Sequence, residues 1–468
     1  MSKIEPRVRV SRRRFLGVSA GTAAWVAAGG LTGLAGIALA GKPSAGTRNA
    51  LHVPPTASPS SFQLSAAAGT VDLGGGRFSN AWVYNRSQAD PMLPGPTLVA
   101  TYGDTATITL RNGLTQPTIT HWHGMLVDHL NDGHPMEVVA PGGSYAYAFP
   151  IKNRAALNWY HPHPHMLTGE QVAMGLAGGF IIRDAEEKAL GLPSGDYEVP
   201  LILRDTDFDS TGNIVYKPRS GGWLGTYPLV NGTRDPFLVV SPAVYRLRVL
   251  GGANARIFRL AMSTGAPFTV IGNDRGLLEA SQPVSNPDIA PGERLDLLVD
   301  FRGLAGKSIM LRDLRAGWDL LEFRVYGTGS GNSTTNTTVS AIEHLANPVT
   351  TRDFSFDGMT KINGREYAMD RVDFRVPFGQ VERWTFHTNG NAPHPVHVHG
   401  ASFQVVKRTG GRGTVFPWET AWKDTVVLED RETVEVLIRF NAYRGLYLMH
   451  CHKLEHEDMG MMSNFEVY

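Results

Sequence analysis

Short runs of alternating apolar and polar residues recur along the chain and predict many β-strands. "VEVLIRF" places Val434, Val436 and Ile438 on one face of an extended segment, because alternate side chains of a strand point the same way. "VYRLRVL" and "TATITL" alternate in the same manner, and turns such as "LPGPT" and "APGE" separate these runs. Beyond the N-terminal segment no long helical periodicity is present. The pattern predicts an all-β protein made of β-sandwiches.

Two breaks divide the 468 residues, which are too many for one ordinary domain. "GLPSGDYEVP" (191–200) ends a first unit, and the polar stretch "GTGSGNSTTNTTVS" (327–340) ends a second. We therefore predict three units, at 46–190, 191–326 and 341–468.

Residues 1–45 have the features of a targeting segment. "SRRRFLG" carries consecutive arginines and is followed by an uncharged run, rich in alanine and glycine, that ends in a small-residue cleavage site near Ala40. The motif resembles a bacterial twin-arginine export signal. The alternative is an uncleaved anchor, but the run is only weakly apolar. We predict cleavage, no stable membrane anchor, and a periplasmic or secreted protein.

Composition narrows the classes of partner. Hydrophobic residues make up 42% of the chain and charged residues 19%, as in soluble globular proteins. The formal net charge of +1 gives no reason to expect nucleic acid as a partner. Cys451 is the only cysteine, so it is a buried bystander, a nucleophile or a metal ligand.

Histidine motifs repeat in the first and third units. The first unit has "THWHG" (120–124) and then "WYHPHPH" (159–165), and the third has "HPVHVHG" (394–400) and then "YLMHCHKLEH" (447–456). Most of the 16 histidines lie in these four segments, and residues 191–326 contain none. The repeat predicts one site shared between the first and third units.

Each HxH pair presents two imidazoles side by side if its backbone is extended, with Cα atoms roughly 6.5 to 7 Å apart. Four such pairs supply eight imidazoles, which suit copper, zinc, nickel or iron. Because eight rings exceed what one ion can use, we predict a cluster of several metal ions.

Cys451 lies between two histidines of one such pair. Alternation sends His450 and His452 to one face of the strand and the thiol to the other, so the thiolate must serve a separate metal site. The candidates that complete this second site are His394, His456 and Met461. Two histidines, one cysteine and a weak axial methionine form the blue-copper set used for one-electron transfer. The short chain path from the thiol to the flanking histidines would then connect the two sites.

With all four motifs present, the chain resembles the three-domain bacterial multicopper oxidases of the laccase and cuprous-oxidase type. The resemblance covers essentially the whole mature chain, including the middle stretch "VNGTRDPFLVVSPAVYRLRVLGGANARIFRLA". It implies three cupredoxin-like Greek-key β-sandwich domains and four copper ions per chain, one in a blue mononuclear site and three in a trinuclear cluster. The blue-site ligands that it implies are His394, Cys451, His456 and Met461. The mononuclear member of the cluster would take His121 and His397, and the binuclear pair His123, His161, His163, His399, His450 and His452.

The same family carries acids that relay protons to the cluster. Asp132, in "NDGHP", matches the acid near the mononuclear copper, and Glu457 matches one on the route to bound dioxygen. The alternatives are an Asp-Gly turn for Asp132 and a surface carboxylate for Glu457. His165, which extends "HPHPH", is expected beside the ligands or in solvent rather than among them. The remaining histidines, His52, His129, His134, His344 and His387, are expected to be ordinary polar residues.

The resemblance implies a monomeric oxidase that takes single electrons from a small reducing molecule, at an exposed edge of a blue-copper histidine, and reduces dioxygen to water. Phenols and aromatic amines are the expected donors. The 14 methionines are scattered, which disfavours a dedicated cuprous-ion oxidase without excluding it, and bilirubin-like or manganese donors remain open. A non-enzymatic envelope protein should lack several ligands, an electron carrier needs only the blue site, and a nitrite reductase has fewer histidine pairs.

Overall fold

The computed structural model describes residues 48–85, 93–328, 339–388, 390 and 393–468. The proposed export segment and most of the predicted 327–340 linker lie outside these residues. The described chain is almost entirely strands. It also contains three short helices, α1 (Thr168–Ala173), α2 (Ala185–Ala189) and α3 (Leu454–Asp458), and single 3-10 turns at Pro59–Ser61, Pro135–Glu137, Gly195–Tyr197 and Pro417–Glu419. None of the helices in these ranges is long and apolar enough to cross a membrane.

The first sandwich is built from the strands that carry the first two histidine motifs. The strands up to residue 183 are β1 (Asn49–Ala50), β2 (Thr56–Ala57), β3 (Phe62–Asp72), β4 (Phe78–Asn85), β5 (Gly95–Thr101), β6 (Thr105–Asn112), β7 (Thr120–His123), β8 (Ser144–Pro150), β9 (Ala156–Pro162) and β10 (Gly178–Arg183). Their sheets run β2-β5-β10-β9-β7 and β4-β3-β6-β8. The core between them is aromatic and includes the buried Trp122, Tyr147 and Phe149.

The middle sandwich carries no histidine. Its strands are β11 (Glu198–Phe208), β12 (Ile214–Val215), β13 (Tyr227–Val230), β14 (Thr233–Arg234), β15 (Pro236–Val240), β16 (Val244–Gly251), β17 (Phe258–Met262), β18 (Phe268–Asn273), β19 (Gly276–Val284), β20 (Asp288–Ile289), β21 (Arg294–Asp300), β22 (Ser308–Asp313) and β23 (Trp318–Val325). One sheet runs β14-β13-β11-β16-β21-β18-β19, with β12 paired to β11, and the other β1-β15-β23-β22-β17-β20. The N-terminal β1 therefore joins the middle unit, although the predicted boundary placed it in the first; Leu51 N–H donates to Phe237 O at 2.8 Å.

The third sandwich contains both motifs of the C-terminal unit. Its strands are β24 (Thr350–Asp357), β25 (Lys361–Ile362), β26 (Phe374–Val376), β27 (Val381–His387), β28 (His394–Val398), β29 (Ser402–Gly410), β30 (Thr425–Leu428), β31 (Glu432–Arg439), β32 (Gly445–Cys451) and β33 (Met462–Val467). The sheets run β25-β24-β27-β31-β29 and β26-β33-β32-β28-β30.

The three alternating runs identified in the sequence are strands, namely β6, β16 and β31. In β16, however, the structure buries both faces, because Arg246 and Arg248 are only 1% and 0% exposed. Arg246 donates to Asp296 in β21 and to Glu187 in α2, which follows the first sandwich. Arg248 bonds to Glu187 and to Glu198. This ion network joins the first sandwich to the middle one.

Candidate metal centre

Strand register places the two histidine motifs of each terminal sandwich next to each other. In the first sandwich β7 and β9 are antiparallel, with His121 opposite His161. In the third sandwich β28 and β32 are antiparallel, with His397 opposite His450. Each terminal unit therefore presents its two HxH pairs on neighbouring strands of one sheet.

The two sets of four imidazoles meet at the junction of the first and third sandwiches. Rings from opposite units stack, with centroids 3.9 Å apart for His121 and His399 and 3.7 Å apart for His123 and His397. Their inner nitrogens lie close together: His163 Nε2 is 3.3 Å from His450 Nε2, and His452 Nε2 is 3.2 Å from His123 Nδ1. The eight rings, which are all at most 1% exposed, are His121, His123, His161, His163, His397, His399, His450 and His452.

Main-chain acceptors fix the outward nitrogens of three of these rings. His121 Nδ1 lies 2.7 Å from Asp132 O, His161 Nδ1 lies 2.9 Å from Pro162 O, and His397 Nδ1 lies 2.8 Å from Asp424 O. Since a carbonyl oxygen only accepts, Nδ1 carries the hydrogen and Nε2 presents a lone pair. Within the described residues these three Nε2 atoms are buried without a hydrogen-bond partner. Such atoms are suited to bind metal ions.

Several of the cluster imidazoles are held in the neutral form that metal binding requires. Burial, reinforced by neighbouring cationic and imidazole groups, lowers the pKa of His123 and His161 well below 6.5, and the same causes act on His397 and His399. Burial also lowers the pKa of His452 to about 3.

The donor atoms are spaced as ligands of bound ions are. One potential ligand atom from each member lies within 4.8 Å of the others in the groups His121–His123–His161, His121–His397–His399 and His163–His399–His450. Two ligands on one ion, at bonds of about 2 Å, lie about 3 to 4 Å apart. The residues therefore fit a cluster of more than one ion, and the all-imidazole donor set suits copper.

Cys451 belongs to a separate group of donors on the other face of β32. Its Sγ lies 3.5 Å from His394 Nδ1 and 3.6 Å from His456 Nδ1, and the two Nδ1 atoms are 3.2 Å apart. The thiol is fully buried in the third core, and burial raises its pKa to about 12. Met461 is also buried, and its N–H donates to His456 O at 2.9 Å. The donor atoms of His394, Cys451 and His456 are thus held together, and Met461 is joined to the same segment through its backbone.

Helix α3 brings His456 back to Cys451. Lys453 N–H donates to Cys451 Sγ at 3.4 Å, and one turn later His456 reaches the sulfur. The ring edge that the sequence analysis expected at the surface is almost completely covered, because His456 is 2% exposed and His394 0%.

Both predicted acids contact cluster histidines. Asp132 Oδ2 lies 2.7 Å from His399 Nδ1, so this first-unit acid reaches across to the third unit. Glu457 lies between His450 Nδ1, at 3.1 Å, and His163 Nδ1, at 3.5 Å. Burial opposes ionisation of Glu457, but the two histidines outweigh it and hold the pKa of the carboxyl below its ordinary value. Asp132 does lie in an Asp-Gly turn, as its alternative supposed, but the turn is buried and the carboxylate faces the cluster. Glu457 lies in α3 and is buried rather than at the surface.

The glycines that end the two HxHG motifs have positive φ angles, and neighbouring side chains leave no room for a Cβ atom at either position. Gly124 has φ +87°, and a Cβ there would lie 2.6 Å from Arg294 Nη2 and 3.0 Å from Asp424 Oδ2. Gly400 has φ +73°, and a Cβ there would lie 2.8 Å from the Tyr447 ring. Glycine is the residue that tolerates both conditions.

Sequence reasoning missed the contribution of the middle unit. Gly292, between β20 and β21, packs against His123 and His452, with a Cβ position 3.0 Å from a ring carbon of each. Arg294 and Asp424 form a buried ion pair beside the same rings. Gly292 lies in the turn "APGE", Arg294 begins β21, and Asp424 directly precedes β30. These local features indicate a turn and two strands, and no motif indicates a metal site.

The other histidines stay outside the two sites. His165 is half-buried and packs against Tyr367, with ring centroids 5.2 Å apart. His134 is buried, and its Nε2 lies 3.0 Å from Asn464 Oδ1. His344 is exposed and pairs with Glu279 at 2.8 Å.

Three β-sandwiches with a thiolate site next to an imidazole cluster define a copper-binding class of cupredoxin-like proteins. Family models described as "Multicopper oxidase" match residues 66–187 and 334–468. The chain is 34% identical to the bilirubin oxidase of Albifimbria verrucaria over 80% of this chain and 72% of that protein. It is also 34% identical to the cell division protein FtsP of Sodalis glossinidius (strain morsitans), over 80% and 83%.

The fold agrees with this relationship. The crystal structure of a laccase from Pediococcus acidilactici superposes with a TM-score of 0.84 at 32% identity, covering 91% of this chain and 95% of that one. The chain belongs to the multicopper oxidase family, whose members are copper oxidoreductases that use dioxygen.

Proposed function

We propose that this protein is a laccase-like multicopper oxidase. It would oxidise phenols or aromatic amines one electron at a time and couple four such oxidations to the reduction of dioxygen to two waters. The observation that carries the proposal is the completeness of both donor groups, with eight imidazoles meeting at the junction and a Cys–His–His group on the opposite face of the same strand.

The proposed copper content is four ions. His394, Cys451, His456 and Met461 would hold one ion, His121 and His397 a second, and His123, His161, His163, His399, His450 and His452 the remaining pair. Bound copper would supply the one-electron redox chemistry and the place where dioxygen is reduced. The protein contributes two buried, preformed groups of metal-binding side chains. The backbone links them directly, because Cys451 is adjacent in the chain to His450 and His452.

Reduction of dioxygen to water consumes four protons, and two carboxyl groups are placed to deliver them. Glu457 Oε2 faces His450 Nδ1, and Asp132 Oδ2 faces His399 Nδ1. We propose that each carboxyl passes protons through its own oxygens to the space between the rings. Both are buried, so each would receive its proton from water admitted along the unit junction.

Electron entry would occur over His456. This ring is only 2% exposed. The electron-donating substrate would therefore bind against the residues that cover His456, and the electron would pass through them to the ring. A soluble aromatic donor needs no dedicated metal-ion ligands there, which is why we favour phenols over Cu(I).

One preparation tests the proposal. The purified chain is loaded with copper, and its metal content, visible absorption and dioxygen uptake are measured with 2,6-dimethoxyphenol and with Cu(I). About four coppers, a blue colour and uptake with the phenol support the proposal. Uptake with Cu(I) alone would indicate a cuprous-ion oxidase. A colourless chain without copper would contradict the oxidase and favour a non-enzymatic role, of which the relative named as a cell division protein is a possible parallel.

We also propose that the N-terminal segment directs export by a twin-arginine route and is then cleaved near Ala40. The support is the sequence "SRRRFLG" and the alanine-rich run after it. Mass spectrometry of the protein recovered from the periplasm or medium should find an N-terminus near Ala40. A full-length chain confined to the cytoplasm would contradict this.

A further inference from the structure

The middle sandwich supplies no histidine, yet it reaches the histidine cluster through one ion pair. Arg294, at the start of β21, donates from Nη1 to Asp424 Oδ1 at 2.7 Å and from Nη2 to Asp424 Oδ2 at 2.5 Å. Asp424 precedes β30 of the third sandwich. Both side chains are fully buried, and a two-pronged pair of this kind fixes the carboxylate in position as well as in charge.

Asp424 in turn touches a histidine of the first sandwich. Its Oδ1 lies 3.2 Å from His123 Nε2, and its main-chain oxygen lies 2.8 Å from His397 Nδ1. Thr425 completes the arrangement, because its hydroxyl donates to Asp424 Oδ1 at 2.9 Å and its oxygen lies 3.2 Å from His123 Nε2. One dipeptide therefore supplies the acceptors for two rings.

These contacts set His123 apart from the other rings. His121, His161 and His397 bond to the protein through Nδ1 and leave Nε2 free. His123 does the reverse: Nε2 faces Asp424 and Thr425, while Nδ1 lies 3.2 Å from His452 Nε2 inside the cluster. Because a carboxylate that is paired with arginine only accepts, Nε2 must carry the hydrogen and Nδ1 the lone pair.

We propose that Asp424, held by Arg294, is a positioning residue that selects the tautomer of His123 and orients His397, so that the middle unit controls how the cluster binds copper. Hydrogen-bonded carboxylates behind metal-binding histidines fix ring orientation and raise ligand basicity, and their loss costs about 10- to 100-fold in metal affinity. The middle unit also holds the backbone here, since Asp274 Oδ2 accepts from Thr425 N–H at 3.3 Å. This inference rests on the proposed copper occupancy of the cluster.

The test compares wild type, Asp424→Asn and Asp424→Ala as copper-loaded full chains. Copper retention is titrated with a chelator, and the Cys451 absorption and the electron paramagnetic resonance of the histidine-bound copper are recorded. We expect the cluster to lose copper to the chelator about 10- to 100-fold more readily and its resonance to change. The visible absorption of copper bound by Cys451 should be unchanged, because neither Asp424 nor Arg294 belongs to the Cys451 site.

Glu432→Gln is the matched control. Glu432 forms an equally buried ion pair with Arg408 in the same sandwich, at 2.8 Å, and its second ion-pair partner is Arg412 rather than a cluster histidine. If this variant loses cluster copper as readily as Asp424→Asn, the effect is general destabilisation and the proposal is overturned. Unchanged retention and resonance in both Asp424 variants would also overturn it. If the wild-type chain itself holds no cluster copper, the proposed function fails together with this inference. If the wild type holds cluster copper and the Asp424 variants retain it equally well, only this inference fails.

Discussion

Cys451 and His450 are neighbours in the chain, but their side chains serve different groups of donors. Cys451 Sγ lies 3.5 Å from His394 Nδ1 within the third core, whereas His450 Nε2 lies 3.1 Å from His399 Nε2 at the unit junction. The pleat of β32 separates them, because successive side chains of a strand point to opposite faces. A path of one residue therefore joins the proposed electron-accepting site to the proposed site of dioxygen reduction.

The Cys451→Ser substitution separates the two sites experimentally. The hydroxyl fits the buried space but is a poor ligand for soft copper, so we expect the blue absorption to disappear. Cluster copper should remain, because the eight imidazoles are unchanged. Visible spectra and metal analysis measure both quantities. Loss of all copper together with the colour would contradict two independent sites.

The Glu457→Gln substitution tests proton delivery. The amide keeps the shape of the side chain but cannot take up a proton and deliver it to the cluster, so we expect dioxygen uptake to fall about 100-fold at unchanged copper content. Oxygen-electrode rates with a phenol measure this. Glu455→Gln is the control, because Glu455 bonds to Asn254 and Tyr216 rather than to a cluster ring. Equal rates in wild type and Glu457→Gln would remove this carboxyl from the proton route.

The Gly292→Ala substitution tests how closely the middle unit packs on the cluster. At φ +84° a methyl group would lie 3.0 Å from His123 Cε1 and from His452 Cδ2. We expect a loss of about 1 to 2 kcal/mol of unfolding free energy from the backbone alone, a further 1 to 3 kcal/mol from crowding, and reduced copper retention.

Gly303→Ala separates the two contributions to the Gly292 effect. Gly303 has φ +75° but nothing within 4 Å of its Cβ position, so only the backbone cost should appear in denaturant unfolding. Equal losses in the two variants would argue against the close packing of Gly292.

Glu198 should make the junction of the first and middle units sensitive to acid. Burial opposes its ionisation, but Arg248 and Arg183 outweigh this and lower the pKa of Glu198 below its ordinary 4.5. The unfolded chain therefore binds the proton first as the pH falls, so the stabilisation is present above about pH 4.5 and is lost progressively below it. Denaturant unfolding at pH 7 and pH 4 should detect this loss in the wild type.

The Glu198→Gln variant identifies the source of this pH dependence. It should lose at most about 3 to 5 kcal/mol at pH 7, because the buried Arg248 loses one acid partner and keeps Glu187. It should also show less change towards acid. Asp300→Asn, which breaks the surface pair with Arg302, should cost less than about 1 kcal/mol. If Glu198→Gln keeps the full acid dependence of the wild type, other groups cause it.

The sequence was sufficient for three of the strands and for the residues that the structure brings together in the two donor groups. Alternation predicted β6, β16 and β31, and the spacing within "MHCH" separated the thiol from its flanking rings, because both features depend only on neighbours along an extended backbone. The duplicated motifs indicated that two sandwiches share one site. The ligand types followed from side-chain chemistry, which needs no coordinates.

Tertiary structure alone decided how those residues are held. It placed β1 in the middle sandwich, buried Arg246 and Arg248 in an ion network, and covered His456. It also set the orientation of His123, whose acceptor Asp424 is 301 positions away in the chain and is fixed by Arg294 of the middle sandwich. Such contacts join segments that lack any local pattern in common. Packing between the sandwiches therefore determined these long-range contacts. Local backbone geometry determined which side chains within each motif point to the same face.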